Sequence, residues 1–284
     1  MLTILFDGLA YGMLLFVLAV GLSVTMGLMN VVNLAHGAFA MFGGYVTALL
    51  VGRAGVPFLA TLPLAFVAAA VAGGVAERLV FRPLYQRPHL DQVLASIGLV
   101  YVAMAATSWL VGPQPQLIAL PQWLQGRMML GEVGIGRYRL FVIVVCLGLA
   151  ALLHLGLVRS RFGHRLRAAV DDPRAARGLG IDPGPILAAT FAVGSGLAGL
   201  GGALGLELMG VDPAYPLRLM ALFLMVVAVG GTEGLAGPLM AALLIGVADT
   251  AGKYYLPALG GVTIYLVMIA ALVLRPQGLA GRRA

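Results

Sequence analysis

Four histidines, one cysteine and eleven carboxylates are the side chains in this 284-residue chain that could bind a metal, attack a substrate or move a proton. Their spacing suits none of these tasks. His36, His89, His154 and His164 lie in four separate segments, and no second His, Cys or carboxylate stands close enough to His36 to build a zinc-type ligand set. Cys146 is the single cysteine, which excludes an intrachain disulfide framework and a thiol metal cluster. No GxSxG or HExxH motif occurs, and Asp7, Glu207, Glu233 and Asp249 fall near the ends of apolar runs rather than as pairs inside them. A Walker A motif is also missing, so the chain has no P-loop for hydrolysing ATP itself. What stands out instead is NVVNLAHGAFAMFGGYV, residues 30–46, where two asparagines, a histidine and three glycines sit between apolar runs.

Those runs define the surroundings. Hydrophobic residues make up 61% of the chain and charged residues 10%, with a mean hydropathy of +1.00. That leaves too little polar surface to coat a water-soluble globule, and the composition is that of an integral membrane protein. The first residues carry no basic region and no clear cleavage site, so they read as a retained first span. A spanning helix needs about 20 mostly apolar residues, and such windows recur at 8–29, 33–52, 58–77, 93–112, 140–158, 185–206, 218–232, 237–253 and 258–274. The expected architecture is all-α, a polytopic helical membrane bundle of about nine spans, eight to ten being the range, forming one membrane domain over residues 1–284. The short windows 218–232 and 237–253 are joined by a glycine-rich stretch that suits a tight turn or a broken helix.

Basic residues orient the bundle, because Lys and Arg collect in short cytoplasmic loops. Arg78, Arg82 and Arg87, then Arg159, Arg161, Arg165, Arg167, Arg174 and Arg177, then Arg275, Arg282 and Arg283 fall on one side of a nine-span chain, 12 of its 18 basic residues. The amino terminus and the 113–139 loop are then outside, although Arg127, Arg137 and Arg139 run against the bias. The net charge of +7 follows from this topology. Nothing resembles a nucleic-acid site, since no basic run is interleaved with aromatics.

Two further segments carry information. GSGLAGLGGALG, 194–205, repeats small residues at helical spacing, the pattern by which helices in lipid pack closely; a composition bias gives the same letters. In the loop 159–185, residues 166–170 and 174–179 read as short helices, with Asp172 before Pro173 as the cap of the second and Gly178 and Gly180 as its stop. A short amphipathic helix on the cytoplasmic face suits a partner's groove, and also suits lipid headgroups.

GLSVTMGLMNVVNLAHGAFAMFGGY, 21–45, closely resembles the amino-terminal signature of LivH-type permeases of branched-chain amino acid ABC transporters. RAAVDDPRAARGLGID, 167–182, is similar to that family's cytoplasmic coupling segment, and AVGGTEGLAGPLMAALLIGVAD, 228–249, to its carboxy-terminal glycine-rich motif. The resemblance implies a bacterial inner-membrane permease subunit without its own cofactor or ATPase site, working by ATP-driven alternating access. It implies a second LivM-like permease, two ATP-binding subunits that consume the ATP, and an extracytoplasmic substrate-binding protein. Asn33, His36, Gly37, Gly43, Gly44 and Asp249 are then expected along the translocation pathway or the permease interface. Arg167, Asp172, Ala175, Ala176, Gly178 and Gly180 are expected in the loop that couples to the ATPases. A local capping role for Asn33 and His36 stays open beside this. Ala38 stands where the family often has an acid, and Asp249 where it often has Glu, so relatives that carry urea or short amides are alternatives for the solute. A stand-alone channel or secondary transporter is the rival class; it needs ion ligands or a carboxylate relay within the spans.

Overall fold

The computed structural model describes residues 1–29, 31–130, 133–231 and 234–279. Apolar runs that must satisfy their backbone groups internally become helices. Among the described residues, seven are long and apolar enough to cross a membrane. These are α1 (Leu2–Met29), α2 (His36–Ala54), α3 (Phe58–Ala76), α4 (His89–Leu110), α5 (Arg137–Val158), α8 (Pro183–Met209) and α11 (Gly260–Leu274), where α3 runs on through a π turn at Glu77–Phe81 and a 3-10 turn at Arg82–Leu84, and a 3-10 turn at Pro257–Leu259 leads into α11. Two short helices, α6 (Arg161–Asp171) and α7 (Pro173–Gly178), lie between α5 and α8. Two more, α9 (Tyr215–Gly230) and α10 (Ala236–Tyr255), complete the order. At 16 residues α9 is short for a full span, and α10 is diluted by Asp249 and Lys253. Each of the nine apolar windows overlaps a helix. The 113–139 loop adds a small antiparallel hairpin, β1 (Arg127–Leu130) with β2 (Val133–Gly136), that the all-helical reading does not contain.

The core is built on α1 and α8. A helix apolar on every face belongs inside a bundle, and both are buried on all sides through their middles, from Met13 to Leu22 and from Gly194 to Leu206. They run antiparallel, with Gly21 against Gly194 and Leu18 against Gly201. A Cβ at Gly194 would stand 3.3 Å from the Cα of Gly21, so the small residues of 194–205 serve close backbone approach. The outer helices α10 and α3 pack on opposite sides of this pair. Gly12 of α1 meets Ala242 and Leu243 of α10, while Gly196 and Gly199 of α8 meet Phe66, Ala65 and Ala69 of α3. Helices α4, α5 and α11 turn Leu94, Val102, Val144, Leu152, Leu266 and Val273 outward, as lipid-facing helices do.

Both central helices are followed by a broken return. After α1, residues 31–35 retrace the helix, with the Val31 amide bonded to the Thr25 carbonyl at 3.2 Å. Helix α2 then starts at His36, level with Leu18 and Gly21 and so within the bundle rather than at its rim. After α8, Gly210 takes a positive φ of 63° and Val211 packs against Gly44. Helix α9 then starts at Tyr215, whose hydroxyl lies beside Gly205. The two starts meet: a Cβ on Gly37 would come within 2.9 Å of the Cα of Pro216.

Candidate functional site

The polar stretch that opens α2 is held by side chains from other helices. Gln92 of α4 accepts from the Val32 amide at 3.0 Å and donates to the Leu84 and Arg87 carbonyls at 3.2 and 3.3 Å. This one buried amide side chain ties the re-entrant segment to the α3–α4 turn. Beside it, the Tyr85 hydroxyl donates to Glu77 at 2.8 Å, and burial, then that hydrogen bond, push the Tyr85 phenol above its ordinary range. His36 donates through Nε2 to the Leu18 carbonyl at 2.8 Å and sets its ring edge-on to Phe223 of α9 at 5.7 Å. His36 and Asn33 are each 1% exposed. No side chain caps α2; the imidazole serves the backbone of α1 instead. The Asn33 side-chain oxygen is buried with no hydrogen-bond partner among the described residues.

Further along α2, Gly43 lies directly on the Gly199 backbone of α8, and Gly44 faces Val211 and Gly202. The structure therefore brings Asn33, in the return before α2, and His36, Gly37, Gly43 and Gly44, on α2, together inside the packing of α1, α8 and α9. Asp249 is elsewhere. It is paired with Lys253 of the same helix at 2.6 Å and lines a cleft with Tyr11 and Arg218. Glu233 lies outside the described residues. Among the described residues, no three His, Cys, Asp or Glu side chains come together as a metal set. Gln92 was not visible as a site residue in the sequence, because a glutamine in an apolar run carries no motif; its burial and three hydrogen bonds are what mark it.

The α5–α8 connection is more helical than its sequence suggested, because Ser160 starts a helix before 166. The Ser160 hydroxyl accepts from the Gly163 amide at 3.1 Å, a side-chain cap of the usual kind. Gly163, Leu166 and Ala169 form the buried face of α6, and the Arg167 guanidinium donates to the Leu157 carbonyl at 2.9 Å. Asp172 caps α7 as its position before Pro173 requires, accepting from the Arg174 and Ala175 amides at 2.9 and 3.0 Å. The helix ends in a Schellman turn: the Ile181 amide reaches the Ala176 carbonyl, the Gly180 amide reaches that of Arg177, and Gly180 has φ 76°. Ala176 is buried against the chain itself, while Ala175, Gly178 and Leu179 are exposed, Leu179 at 78%. The six residues read from the sequence thus divide. Arg167, Asp172, Ala176 and Gly180 shape the α6–α7 unit, and Ala175 and Gly178 lie on its open face.

Buried broken helices at the centre, apolar helices around them and an amphipathic helical unit at one end define a multi-pass membrane permease. The chain matches the family described as branched-chain amino acid transport system / permease component over residues 4–272, and belongs to it. It is 27% identical to the high-affinity branched-chain amino acid transport system permease protein BraD of Pseudomonas aeruginosa, over 98% of this chain and 95% of that one. It is 28% identical to the probable branched-chain amino acid transport permease protein LivH of Methanocaldococcus jannaschii, over 98% and 92%. The LivM permease protein of Escherichia coli is 27% identical over 94% of this chain and 68% of its own. No solved structure matches the chain.

Proposed function

We propose that this chain is one permease half of a binding-protein-dependent ABC importer that carries branched-chain amino acids inward across the inner membrane. The full-length similarity to permeases named for branched-chain amino acid transport carries the reading. All nine apolar helices cross the membrane in this proposal, with the amino terminus outside and α6 and α7 in the cytoplasm. The second permease half is a LivM-like chain, an extracytoplasmic protein delivers the solute, and two ATP-binding subunits dock on α6–α7. ATP-driven closure of those subunits tilts the bundle through this unit, and the small-residue contacts of α2 with α8 and α9 are where helices can slide.

Uptake of labelled leucine into vesicles holding the chain with its co-encoded subunits tests the reading. The expected result is uptake that needs both the binding protein and internal ATP. Uptake driven by an ion gradient without ATP would establish a secondary transporter instead, and selective uptake of urea or acetamide would replace the solute while keeping the importer.

A further inference from the structure

Three ion pairs gather at one end of this apolar bundle, around the amino-terminal end of α1, the carboxy-terminal ends of α8 and α10 and the start of α9. Asp7 of α1 pairs with Arg139 of α5, Asp212 pairs with Arg218 of α9 at 2.9 Å, and Asp249 pairs with Lys253 of α10 at 2.6 Å. Ionised groups within a membrane protein are costly and mark function by default. The pairs differ in exposure: the carboxylates are 20%, 18% and 8% exposed and their basic partners 40%, 50% and 62%. The acids are the more buried member of each pair and the bases the more open one. Five of the six line a cleft of about 390 Å³ whose remaining wall includes Ala10, Leu208 and Met209. One oxygen each of Asp7 and Asp212 is buried without a hydrogen-bond partner among the described residues, an acceptor left unused.

We propose that this cleft is a binding site for the zwitterionic head of an α-amino acid, a stopping point at the outer mouth of the pathway. The ammonium group is received by the carboxylates that line the cleft, Asp7 and Asp249. The carboxylate is received by Arg139, Arg218 and Lys253, and an aliphatic side chain lies on Leu208 and Met209. The volume is in the range of small-molecule sites. The inference rests on the importer reading for its orientation and deepens it by naming the groups that read the solute's two charges.

Labelling of Thr250→Cys, at a position lining the cleft, tests this in right-side-out vesicles holding the whole transporter, with the buried Cys146 replaced by Ser. A charged impermeant thiol reagent is applied with and without L-leucine. Leucine is expected to slow labelling about threefold, as filling about two-thirds of the sites would by mass action. Isocaproamide, with the same side chain and neither charge, is expected to leave the rate unchanged, and Asp249→Asn to abolish the protection. Failure of position 250 to react at all, equal protection by the amide, or labelling indifferent to leucine would each overturn the proposal. Leucine uptake by the unaltered chain is measured in parallel. Uptake without protection overturns the cleft alone, protection without uptake overturns only the transport reading, and neither together overturns both. If Thr250→Cys does not insert, Leu208→Cys reports on the same cleft.

Discussion

At the scale of single residues, Gly37 and His36 show how little room the centre of this bundle allows. A methyl group on Gly37 would be driven into the backbone of Pro216, which cannot rotate away as a side chain would. Gly37→Ala is therefore expected to destabilise the chain by about 1–3 kcal/mol, the usual cost of overpacking, read as a lower melting temperature of the purified protein in detergent. Unchanged melting with lost uptake would place Gly37 on the solute's path instead. His36 gives a graded test of the same region. His36→Leu removes the donor to the Leu18 carbonyl, with an expected loss of about 1–3 kcal/mol, and His36→Gln, which can still donate, is expected to recover part of it in the same melting measurement. Gln92 belongs with them, since its amide fastens Val32 to the α3–α4 turn.

At the scale of elements, α6 and α7 form a unit with an inner face fastened to the chain and an outer face left bare. Ala176 is on the inner face, so Ala176→Arg is expected to displace α7 from its own protein. Ala175 and Leu179 are on the outer face, and an apolar side chain as exposed as Leu179 at the end of a capped helix is the kind of knob a partner's groove receives. Ala175→Arg and Leu179→Asp are expected to leave membrane insertion intact and to reduce binding-protein-stimulated ATP hydrolysis at least tenfold, since central anchors of an interface are worth about 2 kcal/mol or more. Full stimulation in both variants would show that coupling runs through another surface. Asp172→Ala, which removes two amide contacts from the start of α7, is expected to cost about 1 kcal/mol and to weaken coupling less than either outer-face change.

At the scale of the whole molecule, α1 with α2 and α8 with α9 are the same device used twice in opposite directions: a long buried helix, a broken return, and a second helix starting inside the bundle. Such inverted pairs place irregular backbone where protein surrounds it. With nine crossings, single cysteines at Gln122 and at Pro173, each in a Cys146→Ser background, are expected to react with an impermeant thiol reagent from opposite faces of the membrane. Reaction from one face for both would discard that topology. The amino-acid sequence by itself determined the helical membrane class, the positions of the long apolar helices, the family, and the Asp172–Pro173 cap with its Gly180 stop. The family follows from the resemblance of three motifs, and the rest from local composition or from a cap and its helix within a few residues of each other. The tertiary structure alone decided that α2 starts beside Leu18, that His36 serves a carbonyl of α1 rather than capping its own helix, and that Asp7, Arg139, Arg218, Asp249 and Lys253 share one cleft. Apart from Asp249 and Lys253, neighbours on one helix, these relations join residues from 18 to more than 200 positions apart. The seven membrane-length helices are apolar on nearly all faces, so hydropathy assigns them no inner side; the close approach of glycines on particular neighbours does.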